Sequence, residues 1–207
     1  MTISGGGRAQ KSLVIIRDIL HASLNATDPG ELFQFALERV SPAVDAGFAS
    51  IYLVDGASEV MRLAAAYNWP ERFRPVLSEV RVRMPFGPSG QAASERRVVR
   101  VEDVFADPEL EDWQEVATEL GFRAIVALPL VANTNVLGVL TFYFSDRSRI
   151  AEEALGLMNI AADQIAAAAE KTFLSEALRR AEAALADADS ERERLAQPAP
   201  SIPPPEA

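Results

Sequence analysis

The chain has 207 residues, of which 49% are hydrophobic and 24% are charged, a balance that is sufficient to bury a core. No apolar run approaches the roughly 18 residues of a membrane span, and the net charge of -10 disfavours a nucleic-acid partner. Cysteine is absent and His21 is the only histidine, so disulfides, thiolate nucleophiles and multi-histidine metal centres are excluded, and we expect no metal site.

The first elements are predicted to be helical. The N-terminal segment lacks the apolar core of a signal peptide, which predicts a cytoplasmic protein without membrane insertion. A run of three glycines within residues 1–11 predicts a disordered tail, and apolar residues at helical spacing over 12–26 predict a first helix. Asp28 followed by Pro29 predicts the start of a second helix, which we expect to end near Ser41.

Strands are predicted from residue 48 onward. Alternating apolar residues over 48–54 predict a strand that returns through an Asp55-Gly56 turn into a second strand over 60–67. The last two predicted strands are apolar on both faces, as in strands at the centre of a covered sheet. The later elements are one or two helical turns over 71–78, a strand over 79–84, a short helix capped by Ser89, a strand over 98–104, a helix over 109–120 ended by Gly121, and a hairpin of strands 124–130 and 136–144.

A long helix follows, because residues 148–195 contain one glycine and no proline. At about 1.5 Å per residue it is roughly 70 Å long and is expected to project beyond a compact domain. Up to residue 170 its apolar stripe is wide enough to cover a sheet. Over 171–196 the stripe narrows to heptad spacing, which is typical of a coiled coil. This predicted dimer seam consists of Leu174, Leu178, Ala181 and Leu185.

The seam predicts a homodimer, since an isolated projecting helix buries little apolar surface. A lone, partly frayed helix is the alternative, and both parallel and antiparallel pairing stay open. The proline-rich residues 197–207 predict a second disordered tail.

Three segments together resemble a known family. FASIYLVDGASEVMRLAAAYNWPERF resembles the first hairpin of a GAF domain, GPSGQAASERRVVRVEDVFADPEL its middle segment, and GFRAIVALPLVANTNVLGVLTFYF its closing hairpin. The resemblance covers roughly residues 12–170. It implies an α+β fold in which a central antiparallel sheet has helices on both faces. The terminal helices, including 148–170, would cover one face, and short helices and loops would close a pocket on the other.

The resemblance also implies a class of function. GAF domains are mostly sensory or regulatory modules that bind cyclic nucleotides, bilins, haem or small metabolites, or that simply dimerise. Covalent bilin attachment and the chemistry of the methionine-sulfoxide reductase members both require cysteine, which this chain lacks. His21 is expected on the first helix, away from the pocket, so a structural role is favoured over haem ligation. We therefore expect no cofactor and no enzymatic activity, with the identity of any non-covalent ligand open.

The candidate ligand-pocket residues also follow from the resemblance. Tyr52 on the first strand and Thr141 and Tyr143 on the last strand have pocket-facing parity. The loops and short helices would add Trp69, Phe73, Met84, Phe86, Trp113 and Phe122. Arg123 is placed either against a ligand carboxylate or in a surface ion pair. The aromatic side chains could instead fill the cavity themselves, and the acidic residues between Asp103 and Glu115 are interpreted as a solvated face.

Two functions stay open after these steps. The first is a non-enzymatic sensory or regulatory protein that binds a small molecule or a signalling partner. We expect no output domain after Leu195, so this protein would signal through a helical dimer to a separate protein. The second is a ligand-free structural or scaffold subunit that docks on a larger protein complex.

The predicted seam can be tested by truncation. A chain that ends near Leu174 loses most of the seam, and we expect light scattering to give a smaller oligomer than for the full chain. An unchanged oligomeric state would contradict pairing through this helix.

Overall fold

The computed structural model of the chain describes residues 5–25, 28–54, 60–73, 75, 77 and 82–196. Contacts divide the chain into two compact units, residues 1–170 and residues 171–207. The helices are α1 (Gly5–Asn25), α2 (Pro29–Ala43), α3 (Gly87–Glu95), α4 (Glu111–Leu120) and α5 (Glu152–Ala196). The strands are β1 (Phe48–Val54), β2 (Val60–Tyr67), β3 (Val82–Arg83), β4 (Val99–Val101), β5 (Ala124–Ala132) and β6 (Asn135–Phe144).

The six strands form one antiparallel sheet in the order β3-β2-β1-β6-β5-β4. This confirms the predicted α+β fold with a central antiparallel sheet and a long C-terminal helix. The hairpin of β5 and β6 closes over the two residues Asn133 and Thr134, because Ala132 pairs with Asn135. Asn133 has a φ of 52°, a left-handed conformation that asparagine tolerates better than most residues.

One face of the sheet is covered by α1, α2 and the first part of α5. Residues of alternating parity on the central strands, such as Ile51 and Phe142, belong to the same buried cluster as Ile19, Leu37 and Met158 from these helices. The period of two along each strand produces this division, because successive side chains point to opposite faces.

The opposite face of the sheet is covered by α3, α4 and the loops around them. Ala92 and Ala93 of α3 are buried in a cluster with Val139, and the small alanine side chains bring the helix close to the strands. Leu110 and Ala117 anchor the α4 segment in a separate aromatic cluster.

Several element boundaries differ from the predictions. Residues 5–11 belong to α1 instead of a disordered tail, because the good helix formers Arg8–Lys11 extend the helix towards its N-terminus. The predicted fourth strand ends at Val101, since the Asp103 side chain accepts a hydrogen bond from Phe105 and caps a 3₁₀ turn. The long helix begins at Glu152, after a similar turn capped by Asp146.

Other predictions fall partly or wholly outside the described residues. The Asp55-Gly56 turn, residues 79–81 of the third strand and the tail 197–207 all lie there. Of the helical turns expected over 71–78, the structure describes a 3₁₀ turn at Glu71–Phe73 and helical conformations at Pro75 and Leu77.

In the second unit, the described residues are 171–196, which form the C-terminal part of α5. Leu174, Leu178 and Leu185 are each at least 60% exposed, and Ala181 is also exposed. Pairing of this seam stays a prediction. Throughout the described ranges, no helix combines the length and the apolar character needed to cross a membrane.

Gly138 marks a close approach between β1 and β6, which generates a prediction. A Cβ atom at this position would lie 2.1 Å from the carbonyl oxygen of Tyr52. We therefore expect Gly138→Ala to lower the free energy of unfolding by about 1–3 kcal/mol in urea titrations, because the central strands must separate.

The matched control is Gly156→Ala, since a Cβ at Gly156 on α5 meets no atom within 4 Å. This variant is expected to gain about 0.5–1 kcal/mol from improved helix propensity. Equal stability of the two variants would contradict the steric account.

Candidate functional site

A cavity of about 770 Å³ lies on the face of the sheet opposite to α1, α2 and α5. Strand residues form its floor, α3 and the segment before it form one wall, and α4 with the turn before it forms the other. The lining residues are Tyr52, Ile125, Thr141 and Tyr143 from the strands, Pro85, Phe86, Gly87, Pro88, Ser89, Gln91 and Glu95 around α3, and Glu109, Leu110, Asp112 and Trp113 around α4.

The floor of the cavity follows from strand alternation. Ser50 and Tyr52 on β1 lie two residues apart and therefore point to the same face of the sheet, the one that carries the cavity. Ser50 pairs directly with Thr141 of β6. Ile125 of β5 pairs with Tyr143, so three adjacent strands contribute side chains to one surface. The neighbouring residues Ile51 and Phe142 point into the helical core instead.

A hydrogen bond between two hydroxyls joins the wall to the floor. The Ser89 Oγ and Thr141 Oγ1 atoms lie 2.9 Å apart, and both side chains are buried. The prediction that Ser89 caps the helix is wrong. The α3 helix begins at Gly87 with Phe86 as its N-cap, since Pro88 fits the first helical turn. Ser89 is thereby turned towards the sheet.

Two further hydroxyls on this side of the sheet, of which only that of Tyr52 belongs to a lining residue, have no hydrogen-bond partner in the described part of the chain. The Oγ atom of Ser50 and the Oη atom of Tyr52 are buried and have no hydrogen-bond partner among the described residues. Tyr52 is only 1% exposed, although it lines the cavity. A buried hydroxyl without a partner costs about 1–3 kcal/mol, so the cavity holds polar atoms that a bound molecule or water can satisfy.

Burial keeps both cavity tyrosines protonated. It raises the pKa of Tyr143 to about 12. It also raises the pKa of Tyr52 well above its usual value, and the neighbouring Tyr143 adds to this effect. The nearby Ser50 hydroxyl partly opposes both pKa shifts, although its geometry is not that of a hydrogen bond. Neutral phenols can donate as well as accept hydrogen bonds.

An aromatic cluster holds Tyr143 in place from outside the cavity. Its ring centroid lies 5.1 Å from that of Trp69 and 5.0 Å from that of Phe122, in edge-to-face arrangements. The Trp69 Nε1 atom donates a hydrogen bond of 3.1 Å to the carbonyl of Ala49, which ties the cluster to β1. Phe73 is buried in the same cluster.

The mouth of the cavity is acidic. Glu95 forms an ion pair with Arg97, whereas Glu109 and Asp112 are exposed and have no ion-pair partner within the described part of the chain. Among the described residues that line the cavity, none is lysine, arginine or histidine.

The comparisons with known proteins place this fold. A family model described as GAF domain matches residues 26–170. The chain belongs to the GAF domain family. Family membership confirms the resemblance carried by the three segments of the sequence.

Similar proteins include a sensor, a GAF domain from a phosphotransferase and a reductase. The methyl sulfide methyltransferase-associated sensor of Methanosarcina acetivorans is 25% identical over 146 residues, which are 70% of this chain but only 14% of that protein. The GAF domain of a phosphoenolpyruvate-protein phosphotransferase from Coxiella burnetii has a TM-score of 0.69 at 19% identity, over 82% of this chain and 98% of that one. Free methionine-R-sulfoxide reductase from Neisseria meningitidis, solved with its substrate, has a TM-score of 0.65 at 20% identity, over 84% of this chain and 97% of that one.

The GAF family and the relative named as a sensor support a sensory or regulatory role for this chain. The likeness to the two solved structures concerns the fold alone. Because one of them is a reductase, the fold also occurs in enzymes. The expectation that this GAF protein is not an enzyme stays a prediction.

Half of the predicted ligand-pocket residues line the cavity of this GAF domain. Tyr52, Phe86, Trp113, Thr141 and Tyr143 do so. Trp69, Phe73 and Phe122 lie in the aromatic cluster behind the cavity, and Met84 packs against the buried cluster that contains Tyr52. Arg123 forms an ion pair of 2.6 Å with Asp103, which lowers the pKa of that carboxyl group. The surface ion pair considered for Arg123 is therefore confirmed.

Ten lining residues were not predicted, among them Ser89, Gln91, Ile125 and the three carboxylates of Glu95, Glu109 and Asp112. Ile125 could have been predicted, because the alternation of side chains along 124–130 places it on the face of the sheet that carries the cavity. The acidic residues were expected on a solvated face, and Glu109 and Asp112 are indeed exposed, but they also border the cavity.

The buried tyrosines predict a loss of stability at alkaline pH. Tyrosine has a pKa of about 10 in an unfolded chain, whereas burial raises the pKa of Tyr143 to about 12. The protonated phenol therefore stabilises the fold fully below pH 10, and this contribution is lost as the pH rises through about 12. The difference corresponds to roughly 2–3 kcal/mol.

We expect Tyr143→Phe to reduce the decline in the free energy of unfolding between about pH 9 and 12, measured in urea. Tyr67→Phe is the control, because Tyr67 is on β2 and does not line the cavity. The same decline in both variants would show that burial of Tyr143 is not its cause.

Proposed function

We propose that this GAF domain binds a small molecule in the cavity and that the chain acts as a sensory or regulatory protein. The observation that carries the proposal is a cavity of about 770 Å³ lined by Tyr52, whose buried hydroxyl has no hydrogen-bond partner among the described residues. A volume of a few hundred cubic ångströms suits a drug-sized molecule, with apolar walls and a few polar groups to orient it. A ligand that hydrogen-bonds Tyr52 would recover the cost of burying that hydroxyl.

Strand β6 offers a route from the cavity to the helices. Thr141 and Tyr143 face the cavity, while the alternate residues Leu140 and Phe142 belong to the cluster that includes Met158 of α5. A ligand that favours one position of β6 would therefore favour one packing of α5, which is a population shift. The exposed seam on the same helix would pair with a second copy, and the dimer would present the signal to a separate partner protein.

The alternative of a ligand-free structural subunit required the aromatic side chains to fill the cavity. Trp69 and Phe73 pack in the aromatic cluster instead, and the cavity stays open. This arrangement favours the ligand-binding function over the scaffold function.

Ligand binding can be tested by filling the cavity. Gln91 on α3 lines the cavity and is partly exposed, so Gln91→Trp is expected to occupy ligand volume without disturbing the core. Ser94→Trp is the matched control, because Ser94 lies on the same helix, is exposed and does not line the cavity.

We expect native mass spectrometry of the wild-type chain, purified from its own cells, to show a bound small molecule. Ser94→Trp should retain that mass and Gln91→Trp should lose it. Absence of a small molecule from the wild type, or its retention by Gln91→Trp, would contradict the proposal.

A further inference from the structure

We infer that the cavity binds an organic cation, in which a protonated amine or quaternary ammonium lies between Glu109 and Asp112 and an apolar or planar body extends towards Tyr52. The inference rests on the proposed function of the cavity as a ligand site and adds the chemical class of that ligand.

The charges around the cavity favour a cationic ligand. Three carboxylates line it, and Arg97 compensates only that of Glu95. Glu109 and Asp112 are left without an ion-pair partner in the described part of the chain, and no basic side chain is found among the described lining residues. Like charges repel, so an anionic ligand such as a phosphate or carboxylate would be disfavoured and a cation favoured.

The two carboxylates are held on fixed parts of the backbone. The side chain of Asp107 accepts a hydrogen bond of 3.0 Å from the Glu109 amide and fixes the turn that carries Glu109. Asp112 lies in the first turn of α4, and this segment is anchored by Leu110, which is 2% exposed. A cation at the mouth would therefore meet carboxylates whose backbone positions are already set, which reduces the entropy lost on binding.

Aromatic side chains on the cavity walls also favour a cation with an apolar or planar body. Two aromatic residues line the walls of the cavity, Trp113 on α4 and Phe86 just before α3. Tyr52 and Tyr143 line its floor. Aromatic faces attract cations electrostatically, and this attraction strengthens when water is removed. The same faces also accommodate an apolar or planar body.

The unpartnered hydroxyl of Tyr52 is an independent observation that points to a ligand. This hydroxyl is buried and lacks a hydrogen-bond partner among the described residues, and Tyr52 is one of the residues that line the cavity. A metal ion would not explain the site, because no group of three or more metal-ligating side chains is arranged to hold an ion in the described part of the chain. A small organic molecule with a cationic end and an uncharged polar end satisfies both the mouth and the floor.

Three isosteric probes separate charge from shape. Tyramine is cationic, 4-(2-hydroxyethyl)phenol is neutral and 4-hydroxyphenylacetate is anionic, and all three carry a phenol that can hydrogen-bond Tyr52. We expect calorimetric titration of the full chain to show tyramine binding about tenfold more tightly than the neutral probe, with the anion weakest. A higher salt concentration should lower the affinity for tyramine and leave the affinity for the neutral probe unchanged.

Paired variants assign the selectivity to the mouth. Glu109→Gln combined with Asp112→Asn should lower tyramine affinity about tenfold and leave the neutral probe unchanged. Glu111→Gln combined with Glu115→Gln is the matched control, because these exposed carboxylates lie on α4 but do not line the cavity. Thermal unfolding without probe checks that both double variants fold.

Each outcome bears on a different part of the argument. If tyramine binds no better than the neutral probe, or fails to bind at millimolar concentration, the cation inference is overturned while the cavity can still be the ligand site. The same holds if the control variants lose as much affinity as the mouth variants. Failure of the Gln91→Trp experiment as well would overturn the proposed function itself.

Discussion

The division of β6 between two environments is the constraint on which the rest of this structure depends. The strand is paired on both sides and its last seven residues are buried, so each side chain of this stretch faces either the helical core or the opposite side of the sheet, which carries the cavity. Phe142 and Phe144 are committed to the core, while Thr141 and Tyr143 are committed to the cavity. A shift of register by one residue would exchange the two sets. Gly138 helps to fix the position of the strand, because it allows the backbone of Tyr52 to approach closely.

Strand alternation explains which parts of the site could be predicted from the sequence. Tyr52, Thr141 and Tyr143 line the cavity as alternation predicts, because a strand has only two faces, and the resemblance to GAF domains indicated which face borders the pocket. Trp69 and Phe122 lie in loops or at their ends, where no periodicity fixes the direction of a side chain. Their destination depends on contacts with each other and with Tyr143, which are distant in sequence. Loop residues of this kind require the three-dimensional arrangement.

Helix starts were a second source of error. Ser89 has the side chain of a good N-cap, and local preference therefore favoured that role. The observed helix begins two residues earlier, and the hydroxyl bonds Thr141, which lies 52 residues along the chain. A tertiary hydrogen bond thus prevailed over a local one. The N-terminal helix shows a different case, in which helix formers following the glycine run outweigh the helix-weakening effect of glycine.

In the proposed ligand site, the hydroxyl pair of Ser89 and Thr141 would also influence which molecules bind. Either oxygen can act as the donor, so the pair can reverse its direction and offer a neighbouring group either a hydrogen or a lone pair. The neutral phenol of Tyr52 has the same freedom. The floor of the proposed site could therefore hydrogen-bond alcohols, amides and carbonyls alike, whereas the described side chains at the mouth carry only negative charge. A ligand site of this kind would accept a chemical class of compounds instead of a single metabolite.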